Sequence, residues 1–327
     1  MRCLITGVSG FVGSSLCDRL LADGHEVVGV DCFVPYYARQ LKDSNLAGAR
    51  DQKAFRFIEA DICKLFETDD EASAKKADEL LGGIDVVYHQ AAQAGVRASW
   101  GRDFEIYVHN NILGTQKLLE ACRRHKSLRV VYASSSSVYG ETRKFPMEET
   151  DVPAPVSPYG VSKLAAEHLM TLYHANYGTH TVSLRYFTVY GPRQRPDMAF
   201  HKLIASILKG EEFVLFGNGE QSRDFTFISD IVQANIDAGN SGKAGGVYNL
   251  GGGTQITMNN VIKLIESLAG KKARIKYVER HHGDVTHTGA SVERARKDWG
   301  FQPKISLEEG LAREIEFIGK VVLPLGL

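Results

Sequence analysis

The sequence carries no surplus of either charge: Lys plus Arg and Asp plus Glu number 39 each. It therefore offers nucleic acid no global positive field, and any anionic ligand must be held by local groups. No apolar run approaches the roughly 20 residues of a membrane span. Cysteine is scarce, five residues with no CxxC spacing. No signal-peptide pattern opens the chain, because Met1-Arg2 runs straight into an apolar stretch, so a reducing cytoplasm is the expected address. Internal repeats, low-complexity tracts and a Pro/Ser linker are also missing.

What is present is an ordinary globular composition, 43% hydrophobic and 24% charged, in 327 residues. Through the first 190 residues short apolar runs alternate with amphipathic stretches, the pattern of a doubly wound parallel α/β sheet. The expected strands are 2–6, 26–31, 55–59, 84–89, 129–134 and 181–186, and the expected helices 11–22, 72–81, 104–125 and 158–177. After Tyr190 the alternation loosens around Gly191-Pro192, Gly217-Asn218-Gly219 and Gly251-Gly252-Gly253. A smaller, mostly helical lobe is expected there, with a last helix over 307–320. The predicted division gives 1–187, with about 226–257 returning to it, to a nucleotide-binding Rossmann domain. It gives 188–225 and 258–327 to a substrate domain.

The first strand runs into Gly7-Val8-Ser9-Gly10-Phe11-Val12-Gly13 and then a helix. This GxxGxxG is a spacing variant of the dinucleotide fingerprint, in which bare backbone approaches a pyrophosphate at a helix N-terminus. Asp31 ends the second strand, where a carboxylate can bind a ribose 2′-OH and repel a 2′-phosphate, so NAD is expected over NADP. Asp61-Ile62 either flanks the adenine or is merely structural.

Ser157-Pro158-Tyr159-Gly160-Val161-Ser162-Lys163 reads as a helix start, with Ser157 as N-cap and Pro158 at the first helical position. Tyr159 and Lys163, four apart, project from one face. A phenol of pKa near 10 needs about 4 kcal/mol of preferential phenolate stabilisation to ionise at neutral pH. A nearby ammonium and a cationic nicotinamide ring can supply it, and the phenolate then acts as general base toward a hydroxyl. Upstream, Ser134-Ser135-Ser136-Ser137-Val138-Tyr139-Gly140 places a row of hydroxyls at the C-terminal edge of the sheet, where open α/β folds bind ligands.

GxxGxxG, the Gln90-Ala91-Ala92 segment, the serine run ending in Val-Tyr-Gly, YxxxK and Leu184-Arg185-Tyr186-Phe187 occur in one order. Together they resemble the extended short-chain dehydrogenase/reductase (SDR) family of nucleotide-sugar epimerases, dehydratases and decarboxylases. The resemblance spans nearly the whole chain and implies a bound NAD contacted by Gln90, Ala91 and Ala92 as well as by Tyr159 and Lys163. It makes Ser135 the hydroxyl that orients the reacting oxygen. The dehydratases and UDP-glucuronate decarboxylases of this family carry an acid just before Val-Tyr-Gly, where this chain has Ser137, which favours epimerisation. The stretch Arg185 to Ala199 and Gly95-Val96-Arg97 resemble the UDP-glucuronate 4-epimerases; UDP-glucose 4-epimerases place Asn where Thr188 stands and lack the Arg-Pro-Asp-Met-Ala continuation.

The resemblance therefore implies interconversion of UDP-glucuronate and UDP-galacturonate through a 4-keto sugar. Arg97 and Arg195 are available for the added negative charge of a sugar acid. A ketone at C4 beside a carboxylate on C5 loses CO2 readily, and Ser136, Ser137 and Thr188 are expected to hold the carboxylate out of the reactive alignment. The diphosphate is expected near Arg223 and the uridine near Phe216, Met198 and Asp284, although Phe216 and Met198 read equally well as core. His281-His282 departs from the family pattern before Gly-Asp, and no metal site is expected. Homodimers are usual in the family, through helices such as 104–125 and 158–177. Rival readings are UDP-glucuronate decarboxylase, UDP-glucose 4-epimerase and, from a different class, a non-catalytic NAD-binding protein.

Overall fold

The computed structural model describes residues 1–142, 144–279 and 285–326; Asp284, His281 and His282 therefore lie outside the described residues. Its strands are β1 (Arg2–Thr6), β2 (Glu26–Asp31), β3 (Phe55–Glu59), β4 (Val86–His89), β5 (Arg129–Ser135), β6 (His180–Tyr186), β7 (Thr188–Tyr190), β8 (Glu212–Phe216), β9 (Ser222–Phe227), β10 (Gly246–Leu250), β11 (Gln255–Thr257) and β12 (Arg274–Val278). Seven of them form one parallel sheet in the order β3-β2-β1-β4-β5-β6-β10. The order reverses between β1 and β4, so ligand crevices are expected beyond the C-terminal ends of these two strands.

The helices through the middle of the chain are α1 (Phe11–Ala22), α2 (Arg39–Arg50), α3 (Ile62–Leu65), α4 (Glu71–Leu81), α5 (Phe104–Tyr107), α6 (Gly114–Cys122) and α7 (Pro158–Tyr177). After them come α8 (Ala199–Lys209), α9 (Ile228–Ser241), α10 (Met258–Ala269), α11 (Glu293–Trp299) and α12 (Leu307–Phe317). Strand side chains alternate between two cores, as the period of two requires. Cys3, Ile5, Val86, Tyr88 and Val131 pack with Leu16 and Leu20 of α1 and Ile231 of α9. Leu4, Val28, Val87, Val130 and Tyr132 pack with Leu80 of α4, Leu118 of α6 and Met170 of α7. Both faces are covered, which is why these strands read as continuous apolar runs.

The second lobe is mainly helical, as expected, but it also contains two small sheets, β11-β9-β7 and β12-β8. Their strands are three to six residues long and pair across long stretches of chain, which no local pattern marks. The expected helix over 104–125 is interrupted: Val108–Leu113 is π-helical, between α5 and α6. At Gly114, where α6 begins, a Cβ would lie 2.5 Å from the Ile62 side chain, so α6 starts hard against α3, and a π-bulge absorbs one residue of register. The last expected helix, 307–320, likewise passes from α12 into a π-helical turn at Ile318–Val322. Among the described residues no helix is long and apolar enough to cross a membrane.

Candidate active site

The glycine loop is built for backbone contact. Gly7 has φ +70, and a Cβ there would lie 2.7 Å from the Ala91 nitrogen, so the loop presses on the chain leaving β4. Gly13 would drive a Cβ into the Gly7 carbonyl, which seats α1 directly on the loop. Over Gly10 a Cβ would meet no atom but the Gly7 carbonyl oxygen, at 3.2 Å. Gly10 caps α1 without a side chain, and the first N–H groups of a helix have no intrahelical acceptor. The loop thus offers donors and open space to an anion, which is the fit a dinucleotide pyrophosphate requires.

A cavity of about 210 Å³ extends from this loop. Gly7, Gly10, Phe11, Val12 and Gly13 line one end, with Asp31 and Ile62 beside them, while Gln90, Ala91 and Ala92 form a wall and Tyr159, Lys163 and Arg195 close the other end. Asp31 accepts from the Ser9 N–H at 3.0 Å and the Phe33 N–H at 2.8 Å, so it caps its own turn and ties β2 to the glycine loop. Asp61 stands at the start of α3, where its carboxylate has structural partners. It caps α3 by accepting from the Cys63 N–H at 2.8 Å and bonds His109 Nε2 at 2.9 Å.

At the chemical end Ser157 caps α7 by accepting from the Gly160 N–H at 3.1 Å, with Pro158 in the first turn, as expected. Gly160 is needed there, because a Cβ would sit 2.5 Å from the Ser137 carbonyl oxygen. The serine turn and the YxxxK helix therefore touch backbone to backbone. Lys163, 3% exposed, donates to the Ala133 carbonyl at 2.7 Å. Burial pushes its ammonium down to about 7, with the Arg195 charge adding to the effect. Burial also pushes the Tyr159 phenol up, against a hydrogen bond with Ser135 and the Arg195 charge, which pull it down. Without ligand, the pair thus leans toward its neutral forms. Ser135 is buried next to the wall residue Ser134, and its Oγ accepts from the Ser137 N–H at 3.1 Å.

The candidates on the substrate side are more scattered. Arg195 reaches the cavity but is held by Asp197 through Nε and Nη2 at 2.9 and 3.0 Å. Arg97 lies with its guanidinium carbon 4.0 Å from the Phe216 ring centroid. Arg223 donates to the carbonyls of Ser222, Val285 and Thr286 at 2.8, 2.7 and 3.1 Å. Ser136 and Ser137 form the turn after β5, Thr188 begins β7, and Met198 caps α8; all four are half-buried.

Several residues near the chemistry carry no sequence signal of the kind used above. Tyr36 and Tyr37, from the loop after β2, line the cavity, and the Tyr36 hydroxyl donates to Asp197 at 3.1 Å. Asn111, inside the π-helical turn, donates to the Gln93 carbonyl at 3.0 Å and to Ser162 Oγ at 2.8 Å. That serine donates in turn to the Tyr159 carbonyl at 2.8 Å. Two consecutive asparagines in mid-helix, Asn110-Asn111, were the available clue, since asparagine is a poor interior helix former.

The family model described as the NAD dependent epimerase/dehydratase family matches residues 3–251. The chain belongs to this family. It is 43% identical to a protein of Bacillus subtilis (strain 168) named as an uncharacterized UDP-glucose epimerase, over 98% of this chain and 99% of that one. It is 39% identical to a UDP-glucuronate 4-epimerase of Thermodesulfobacterium geofontis, over 96% and 95%. The crystal structure of UDP-glucuronic acid 4-epimerase from Bacillus cereus, in complex with UDP-glucuronic acid and NAD, superposes with a TM-score of 0.92 at 42% identity. That superposition covers 98% of this chain and 100% of that one.

Because the Lys163 value falls from 10.5 in the unfolded chain to about 7 in the fold, the unfolded state binds more protons between these limits, and stability rises with pH across them. The cost of burying the ammonium is complete below pH 7 and gone above the unfolded value. A Lys163→Met variant has no such cost. Denaturant unfolding of both proteins should therefore show wild type gaining on the variant from pH 7 toward 10; a constant difference would contradict a buried, depressed Lys163.

Proposed function

We infer that this chain is a UDP-glucuronate 4-epimerase, interconverting UDP-glucuronate and UDP-galacturonate. The observation that carries the reading is the meeting of Tyr159, Lys163, Arg195 and the glycine loop in one cavity, in a family whose members include enzymes of this name. Ser137, Thr188 and the Arg195 segment favour the sugar acid over a neutral hexose and over loss of CO2. In the functional division we propose, 1–187 with about 226–257 hold the dinucleotide and 188–225 with 258–327 hold the UDP-sugar. The pairing of β10 with β6 and the packing of α9 on α1 support the return of the second segment.

Bound NAD+ supplies the hydride acceptor and later the hydride donor for C4 of the sugar. Tyr159, as phenolate, takes the proton of the 4-OH as hydride leaves the same carbon, and Ser135 donates to that oxygen. Lys163, as ammonium, stabilises the phenolate, so ligand binding must reverse the neutral preference of the empty cavity. After the 4-keto sugar turns over, Tyr159 returns its proton to the oxygen as hydride arrives on the opposite face. Arg195 keeps Nη1 for the sugar carboxylate while Asp197 holds its other edge. Ser136, Ser137 and Thr188 hold that carboxylate away from alignment with the C4 carbonyl, and Arg97, Phe216, Met198, Arg223 and Asp284 serve the UDP end.

A homodimer completes the proposal. Ile106, Val108 and Leu113, on the helical run through α5 and α6, and Val161 and Leu172, on the adjoining α7, are exposed although large and apolar. A second copy of this strip would cover them. The five cysteines are free thiols, which suits a reducing compartment.

Purified protein given UDP-glucuronate without added NAD should yield UDP-galacturonate near equilibrium by NMR; UDP-xylose as main product, or no turnover with NAD supplied, sinks the reading. Ser137→Glu and Thr188→Ala should each raise the UDP-pentose share of product, and a wild-type share in both counts against the carboxylate-holding role. Light scattering should give a dimer for wild type and a monomer for Leu172→Glu; a monomeric wild type at micromolar concentration removes the dimer.

A further inference from the structure

Beneath the proposed proton-transfer pair lies a buried polar cluster that the mechanism does not use. Glu167 stands four residues after Lys163 and eight after Tyr159, so the three follow one face of α7. Its carboxylate is gripped by the Arg185 guanidinium, Nε to Oε2 at 3.0 Å and Nη2 to Oε1 at 2.6 Å, and by Ser134 Oγ at 2.7 Å. Both charged side chains are 4% exposed. Arg185 Nη1 donates to the Tyr139 hydroxyl at 2.7 Å, and that hydroxyl donates to Asn249 Oδ1 at 2.7 Å.

The partners come from a single row of the sheet. Ser134 on β5 stands opposite Arg185 on β6, and Arg185 opposite Asn249 on β10. One step toward the C-terminal edge from Ser134 and Arg185 stand Ser135 and Tyr186, themselves opposite each other. One step back on β5, Ala133 receives Lys163. Glu167 thus pins α7 to two adjacent strands at a level between the Lys163 contact at Ala133 and Ser135. A buried ion pair is often no more stable than apolar side chains of the same volume. What a bidentate fork adds is direction, because it fixes both distance and rotation.

We propose that Glu167 and Arg185 are positioning residues: the ion pair, with Ser134, sets the depth and rotation of α7 against β5 and β6, so that Tyr159 and Lys163 meet Ser135 in reactive geometry. This inference rests on the reading of Tyr159, Lys163 and Ser135 as the chemical groups. Its role is in rate rather than stability, since small displacements of reacting atoms cost rate steeply.

The test replaces both charges together, Glu167→Met with Arg185→Met, leaving no unpaired charge and nearly conserving volume. The expected result is a thermal midpoint and a KM for UDP-glucuronate like those of wild type, with kcat lower by roughly tenfold or more. The kinetic isotope effect with C4-deuterated substrate should increase, as hydride transfer becomes the slower step. A folded double variant with unchanged kcat and isotope effect overturns the proposal. Should the double variant not fold, Ser134→Ala removes only the bond from β5 to Glu167 and leaves the Arg185 fork from β6; a lower kcat at constant KM and midpoint supports the proposal, and an unchanged kcat overturns it. If wild type itself does not turn over UDP-glucuronate, the functional reading fails separately. The same variants are then read by ultraviolet titration of Tyr159 against a Tyr159→Phe background, where a shifted curve supports positioning and superimposable curves overturn it.

Discussion

A lysine side chain shut away from water and held by one backbone carbonyl is the constraint on which the cleft depends. Burying an ammonium is costly, and the chain meets that cost with the Ala133 carbonyl of β5 rather than a carboxylate. A carboxylate partner would keep the ammonium charged and also cancel its field. With only a neutral acceptor, the charge stays sensitive to whatever occupies the cavity, and burial brings the amine to about 7. This arrangement requires β5 to end at a fixed height beside α7. The apolar packing of Tyr132, Ala166 and Met170 below and the Gly160 contact above fix that height.

The nucleotide end follows another logic. There contacts are made by backbone, and the side chains that matter are the ones left out. Gly7 and Gly13 bring loop, strand end and helix closer than any Cβ would allow, and Gly10 leaves an open surface above the first turn of α1. Asp31 secures the arrangement from β2 through the Ser9 N–H. The two ends share the same sheet edge, so the glycine loop and the α7 residues Tyr159 and Lys163 line one cavity.

Much of this was legible in sequence because it depends on local rules. The boundaries of β1, β2, β3, α1 and α7 follow from apolar runs, glycine spacing and the Ser157-Pro158 start, and the structure reproduces them residue for residue. Hidden from sequence were features set by contacts across the chain. At the π-helical turn of 108–113, Gly114 meets Ile62 and Asn111 meets Gln93 and Ser162, contacts that leave no periodic trace. The small sheets of the second lobe pair strands far apart in sequence, which no local run announces. Arg195 was legible as a cation for the cleft, but its bidentate hold on Asp197 and the reach of Tyr36 to that carboxylate come from separate elements. Arg185, which in sequence stood only as part of the Leu184-Arg185-Tyr186-Phe187 run, proves to be half of a buried ion pair with Glu167.

The contact between Gly160 and Ser137 has an evolutionary side. The fold uses the carbonyl of Ser137, which any residue would supply, and leaves its side chain half-buried beside the cleft. Position 137 is thus a place where side-chain chemistry can drift without disturbing the register of α7, whereas position 160 tolerates no such drift. A substitution at position 137 changes what the turn after β5 presents, while Gly160 keeps that turn in backbone contact with α7. The architecture thereby separates a side chain that can vary from a backbone contact that cannot.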